Sequence, residues 1–298
     1  MAYRFKRGEK VEQGAHRIAA EQLDELLGEL DDDSISVDER IHSSRKRGKR
    51  VRGLLRLVRP ALGSIYRAEN ESLRDAARLL SPARDGQIII AAFDALAQRD
   101  AAEDQSIAAA NSIVRDSLLK RRRELVGEPS DLQDRLVEYR ERIAAIRNRI
   151  GDWRLKKKGI RAVRQGFQRT YAAAQSAFAI ASENGAPDAF HQWRRRVKDH
   201  WCHLLLLESL WPQVLQSHSD RVNELAGHLG EANDLAVLLQ TLQSNPEELG
   251  ESEPKKVIVK LVSERQERLR AKAKTLGADL FQAKPKRITS PIAKLWKV

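Results

Sequence analysis

Cysteine, methionine and aromatic residues are nearly missing from this chain of 298 residues. It has one cysteine, one methionine and an aromatic share of 5%. With Cys202 alone, a disulfide framework and every cysteine-rich zinc site are excluded. Glycine and proline, at 16 and 9 residues, stand at roughly two-thirds of their ordinary share. The β-branched and aromatic side chains that strands favour are scarce, while Ala, Leu, Arg and Glu dominate, which argues against an all-β domain and for helices. No apolar run is long enough to cross a bilayer; the strongest, residues 87–97 and 204–207, fall well short. The opening MAYRFKRGEK is basic, but charge follows where a signal peptide needs an apolar stretch. The cytosol is the expected compartment, with no membrane partner. Length permits a sizeable core without covalent staples.

Positive charge is abundant and unevenly placed. The chain carries 54 Lys and Arg against 42 Asp and Glu, a net of +12. Three windows hold no acid at all: residues 40–68, 153–182 and 280–298, with ten, seven and five basic residues. The rest of the chain is acidic overall. Segregation of this kind is the footprint of a polyanionic partner.

A shift of 149 residues aligns the chain with itself. H-S-S-R-K-R-G-K from His42 falls on H-Q-W-R-R-R-V-K from His191. In the same register Leu55 meets Leu204, Leu80 meets Leu229, Asp85 meets Asp234, and the apolar run from Ile88 lies on the one from Val237. The spacing predicts two repeats, 1–149 and 150–298, as a pair of pseudo-symmetric bundles within one domain. In the first, apolar periodicity and breakers predict helices over 4–30, from an Asp38 cap to about Pro60, and over 62–80, 82–98, 104–126 and 131–150. The second repeat is expected to show helices over 153–182, 188–211, 212–229, 231–242 and 254–276. The tail, with Pro285 and Pro291, is expected to drape over the bundle.

On the helix from Asp38, His42, Arg45, Lys49, Arg52 and Arg56 fall at i, i+3, i+7, i+10 and i+14, one side of the cylinder. Val51, Leu54, Leu55 and Val58 form an apolar stripe on the far side. Like charges so placed destabilise an isolated helix slightly; a chain tolerates that where a counter-charge is expected. His191, Arg194 and Lys198 repeat the row, whereas Trp201 and Leu205 replace its last two cations. Arg154, Lys157, Lys158, Arg161 and Arg164 make a further basic face, beside Ile160, Val163 and Phe167.

Two helices that each open on H-x-x-R-x-x-x-K, in two halves of one chain, resemble the CHAD family, the conserved histidine α-helical domain. Tyr66-Arg-Ala-Glu-Asn70, the segment from Leu79 to Asp85, and Leu229-Gly-Glu-Ala-Asn-Asp234 carry the same resemblance. It covers nearly the whole chain. The resemblance implies helical bundles related by a pseudo-twofold, with basic faces lining a central groove or pore. It also implies binding of inorganic polyphosphate, association with polyphosphate granules, and contact with granule proteins or polyphosphate-metabolising enzymes. The matching positions are His42, Arg45, Lys46, Lys49, His191, Arg194, Arg195 and Lys198. Arg52, Arg56, Lys157 and Arg161 join the candidate set from the charge pattern. Asn233 stands where Arg84 does, and Trp201 opposite Arg52, so the second half is expected to hold anion less strongly.

The chemistry fits such a ligand, because a flexible thread of phosphates has no bases to read. Arg offers a planar fork, Lys a mobile charge, and a bound polyanion favours protonated histidine. Non-specific nucleic-acid binding is the first rival, but residues 42–59 contain no Trp, Tyr or Phe for base stacking, leaving only Trp193 and Trp201 in the second half. An enzyme transferring phosphate through His42 is the second; the chain lacks a P-loop, G-x-S-x-G, H-E-x-x-H and G-x-G-x-x-G. No cofactor or metal is expected. His200, Cys202 and His203 diverge around their helix, His16, His218 and His228 show no convergent partner, and Asp85 and Asp234 read as caps or partners of a basic residue. Lys120-Arg-Arg-Arg123 reads as a helix end favoured by the macrodipole. The expectation is an all-α polyphosphate-binding protein without catalysis of its own.

Overall fold

The computed structural model describes residues 3–100, 105–126, 128–244 and 253–288. Every regular element among them is helical, as the composition requires. The order is α1 (Val11–Leu30), α2 (Val37–Leu62), α3 (Ser64–Leu79), α4 (Ser81–Asp100), α5 (Gln105–Val126) and α6 (Pro129–Arg149). A 3-10 turn at Ile150–Asp152 leads to α7 (Ile160–Asn184) and α8 (Pro187–Leu207). A second turn at Glu208–Leu210 precedes α9 (Pro212–Ser244) and α10 (Glu253–Leu280). Val11 opens α1, and Ile160 opens α7, 149 residues later.

Four boundaries depart from the sequence expectation; one is the start of α7, expected at residue 153 and found at Ile160. Residues 3–10 are not helical. Gly8 sits at φ 75°, and the segment lies across α2 and α8 as a strap: Phe5 N–H donates to the Leu206 carbonyl at 2.9 Å, and the Tyr3 hydroxyl to the Arg50 carbonyl at 2.7 Å. The cap of α2 is Ser36 rather than Asp38. Ser36 and Glu39 form a reciprocal capping box, which satisfies two orphan amides where Asp38 could satisfy one. Asp38 sits in the first turn instead, accepting from Arg122 of α5 at 2.7 Å. Finally, α9 is one helix where two were expected. The Leu80-Ser81-Pro82 break between α3 and α4 has Leu229-Gly230-Glu231 at the corresponding offset, and without proline the backbone ladder continues. The side chains of Arg84 and Asp85 and all of residues 289–298, with Pro291, lie outside what the structure describes.

The centre of the fold is α2, and glycine lets its neighbours close on it. At Gly166 of α7 an added Cβ would lie 2.0 Å from the Leu57 carbonyl oxygen and 2.9 Å from that of Arg56. Pro60 has no N–H to offer the Arg56 carbonyl. At Gly53 the same atom would meet Cys202 Cβ of α8 at 3.0 Å, and 202 is 53 displaced by 149. The loop before α7 then ties down the end of α2, with Lys156 N–H donating to the Ala61 carbonyl at 2.9 Å. Along α2 the contacts step back from Ala61, met by Lys156 just before α7, to Leu57, met by Gly166 within it, so these helices are antiparallel. Contacts of α7 with α8 run from Thr170–His203 to Phe178–Trp193, again antiparallel. Hence α2 and α8 run in the same direction, with His42 and His191 toward one end.

Two apolar clusters divide the molecule. The larger gathers α1, α2, α3, α6, α7, α8, the first half of α9 and the end of α10 around Leu54, Leu57, Phe167, Trp193 and Leu204. The smaller joins α4 and α5 to the second half of α9 and the start of α10, through Ile90, Phe93, Val114, Leu238 and Val262.

Because the Gly166 site faces backbone rather than a movable side chain, Gly166→Ala should destabilise the protein by about 2–3 kcal/mol. Gly28→Ala, where nothing lies within 4 Å, should instead stabilise α1 by up to about 1 kcal/mol. Urea denaturation of both variants checks the pair; equal midpoints would contradict the close approach.

Candidate functional site

Between the two apolar clusters lies a cavity of about 490 Å3, walled by α2, α4, α8, α9 and α10. It brings together His42 from α2 with Arg194 and Lys198 from α8, groups drawn from the two halves of the chain. Three carboxylates share the rim, and each is matched by an arginine. Asp38 accepts from Arg122, Glu231 pairs with Arg265 at 2.9 Å, and Asp234 lies 3.9 Å from Arg194. With the acids matched in this way, the exposed Lys198 adds a positive charge to the rim, where His42 stands as a further hydrogen-bonding group. The floor and walls are apolar or small, among them Ile88, Ala91, Ala95, Leu96 and Gly230.

The other candidate residues fall into four groups. Lys46, Lys49 and Arg195 are exposed on α2 and α8, near the cavity. Arg45, Arg52 and Arg56 are half-buried and engaged. Arg45 donates to the Ala77 carbonyl and to Ser81 Oγ at 3.1 Å, bracing the α3–α4 junction. Arg52 Nε donates to Asn70 Oδ1 at 3.1 Å, and Arg56 pairs with Asp199 of α8 at 3.0 Å. So α2 carries no acid after Glu39, yet Asp38 stands one turn before His42 and α8 supplies Asp199. His191 is exposed and its Nδ1 lies 2.6 Å from Asn233 Oδ1, outside the cavity. Lys157 and Arg161 are exposed beside the far end of α2. That end is 19 residues beyond His42, about 28 Å at the α-helical rise.

Arg52 reports on the local field. Burial, with Arg56 and Arg195 beside it, pulls its guanidinium down to about 10, and Asp199 only partly offsets this. The charge persists at neutral pH, at an energetic cost that a bound anion would relieve.

A polar cluster that helical spacing did not disclose lies behind α8. His218 of α9 reaches His200 at 3.5 Å between Nε2 atoms, His200 and His203 both meet Thr170 Oγ1, at 3.4 and 2.9 Å, and His203 Nε2 lies 3.1 Å from the Gly53 carbonyl. One assignment keeps all three rings neutral: His218 donates to His200, His200 to Thr170, Thr170 to His203, and His203 to Gly53. The divergence computed along α8 holds for Cys202, which faces Gly53, while α7 and α9 supply the groups on which His200 and His203 meet. Burial pushes the Cys202 thiol up to about 11, so it is inert. Elsewhere His16 Nε2 contacts the Trp153 carbonyl at 2.8 Å, and His228 lies 3.6 Å from Glu224. Among the described residues no group of three or more His, Cys, Asp or Glu is placed to hold a metal ion. None of the described helices is long and apolar enough to cross a membrane.

A family model for the CHAD domain matches residues 17–243. No curated protein sequence matches the chain. The crystal structure of the CHAD domain from the plant Ricinus communis is similar with a TM-score of 0.60, over 91% of this chain and 90% of that one, at 15% identity. A likeness at that identity speaks for the fold.

The histidine cluster sets a pH dependence. Burial lowers His203 to about 3 and lowers His200 and His218 below the usual imidazole value. The unfolded chain therefore binds more protons than the folded one below about pH 6.5. The stability these rings contribute is complete above that pH and is lost as pH falls through the folded values. Thermal melts should drop from pH 7 to pH 5. His203→Gln, which keeps a donor for Gly53, should flatten the slope by up to about 1.4 kcal/mol per pH unit; an unchanged slope would contradict the assignment.

Proposed function

The chain belongs to the CHAD domain family, and from that membership we propose that it binds inorganic polyphosphate along the cationic faces that α2 and α8 present side by side. The observation that carries the reading is the meeting of His42, Arg194 and Lys198 on one cavity, with both helices running in the same direction. A linear polyanion laid along parallel helices meets His42, Lys46 and Lys49 from one and Arg194, Arg195 and Lys198 from the other. Arg52 deepens the positive field behind them. We read α1–α6 and α7–α10 as two repeats of one plan, related by a pseudo-twofold through the Gly53–Cys202 contact. On this reading the groove is the surface the repeats share, and Lys157 and Arg161 extend it for long chains.

Supporting the choice of polyphosphate over nucleic acid, Trp193 is fully buried and Trp201 packs against the larger core, so neither ring is offered freely for base stacking. The proposal assigns the protein no catalytic step: it holds polyphosphate in the cytoplasm, at granules, for granule proteins or polyphosphate-metabolising enzymes to act upon.

Counterion release makes the test quantitative. Affinity for long-chain polyphosphate should fall steeply with salt. Replacing His42, Lys49 and Lys198, all exposed, by alanine should cost at least tenfold in affinity at low salt. It should also lower the slope of log affinity against log salt by about two, at roughly 0.7 per contact. Calorimetric titration checks both; an unaltered slope, or equal affinity for duplex DNA of matched charge, would overturn the reading.

A further inference from the structure

Glycine is costly inside a helix, by about 1 kcal/mol relative to alanine, and packing explains several of the glycines here. Gly53, Gly166 and Gly277 each face atoms within 3.0 Å of where a Cβ would stand. Gly227 and Gly230 of α9 are different. A Cβ at either position meets nothing within 4 Å, and both residues line the cavity. What they leave open is space inside the cavity rather than room for a neighbouring helix.

Across from them, α4 turns Ala91, Ala92 and Ala95 to the same cavity, with Ile88 and Leu96 alongside. Methyl groups on one wall and bare helix backbone on the other make an apolar slot with low relief. Inorganic phosphate has no surface to match it, and moving phosphate onto it forfeits hydration without return. The rim, where His42, Arg194 and Lys198 stand among arginine-matched carboxylates, and the slot belong to one cavity, of a volume ordinary for small-molecule sites. Its occupant therefore needs an anionic end and a flat, weakly polar body. Gln87, also on the cavity wall, offers an amide to the edge of such a body.

We propose that the cavity takes a nucleoside polyphosphate, its phosphates on His42, Arg194 and Lys198 and its ring system in the slot between Gly227–Gly230 and Ala91–Ala95. The anionic end rests on the polyphosphate reading above; the slot is a separate requirement. On this view nucleotide and polyphosphate compete for the same cations.

The experiment is calorimetric titration of wild type and Gly230→Leu with ATP, with tripolyphosphate and with long-chain polyphosphate. Wild type should bind ATP at least tenfold more tightly than tripolyphosphate. Gly230→Leu adds a side chain where there is room for one, so its melting temperature should not fall. It should erase the ATP advantage and leave tripolyphosphate affinity within twofold. Gly227→Leu repeats the test should Gly230→Leu fold poorly. ATP binding no tighter than tripolyphosphate, or an advantage that survives a folded leucine variant, overturns the proposal. If long-chain polyphosphate still binds in that case, only the nucleotide slot is lost. If no phosphate ligand binds wild type, the polyphosphate reading falls and takes the slot with it.

Discussion

Backbone-to-backbone contact around α2 is the constraint on which the remaining structure depends. This helix carries a row of like charges that would weaken it alone, and its last turn contains a proline. It is held by what touches it: Gly166 of α7 against the Leu57 carbonyl, Cys202 of α8 against Gly53, and the strap at Tyr3 and Phe5. Gly53 and Leu57 lie beside the cationic row, so these contacts half-bury Arg52 and Arg56 while His42, Lys46 and Lys49 stay exposed. A side chain at Gly166 would push the helices apart, and the positions of Lys49 and Lys198 relative to one another would go with them.

Charge is then graded along the cationic face. Deep in it, Arg52 is anchored to the neutral Asn70 and keeps its field, while Arg56 is paired with Asp199. Farther out, His42, Lys46, Lys49, Arg195 and Lys198 are exposed. Half-buried inner groups and exposed outer ones suit a ligand that is itself flexible, because long exposed side chains can reach phosphates at more than one position.

Much of this was legible in the sequence because it depends on local periodicity. The all-α class, the Ser81-Pro82 break, and the position of His42, Lys49 and Arg52 opposite Val51 and Leu54 all follow from spacing along one helix. What escaped depends on groups that meet only in three dimensions. Asp199, 143 residues from Arg56, neutralises it from another helix; Thr170 and His218 make a cluster of His200 and His203, though no single helix places them together. The α2 cap escaped for a different reason. Ser36 and Asp38 are both good caps, and only the reciprocal bond from Glu39 separates them. The continuity of α9 turned on one absent proline, and Gly230 in its place read as a break.

That continuity has a mechanical side. At 33 residues α9 is about 50 Å of unbroken helix, a spar that passes from the larger core into the smaller. The opposite wall of the cavity, α4, is joined to α3 through a proline-bearing corner that Arg45 braces. The two walls are therefore held differently: α9 by its own continuous backbone ladder, α4 by a side chain reaching across from α2.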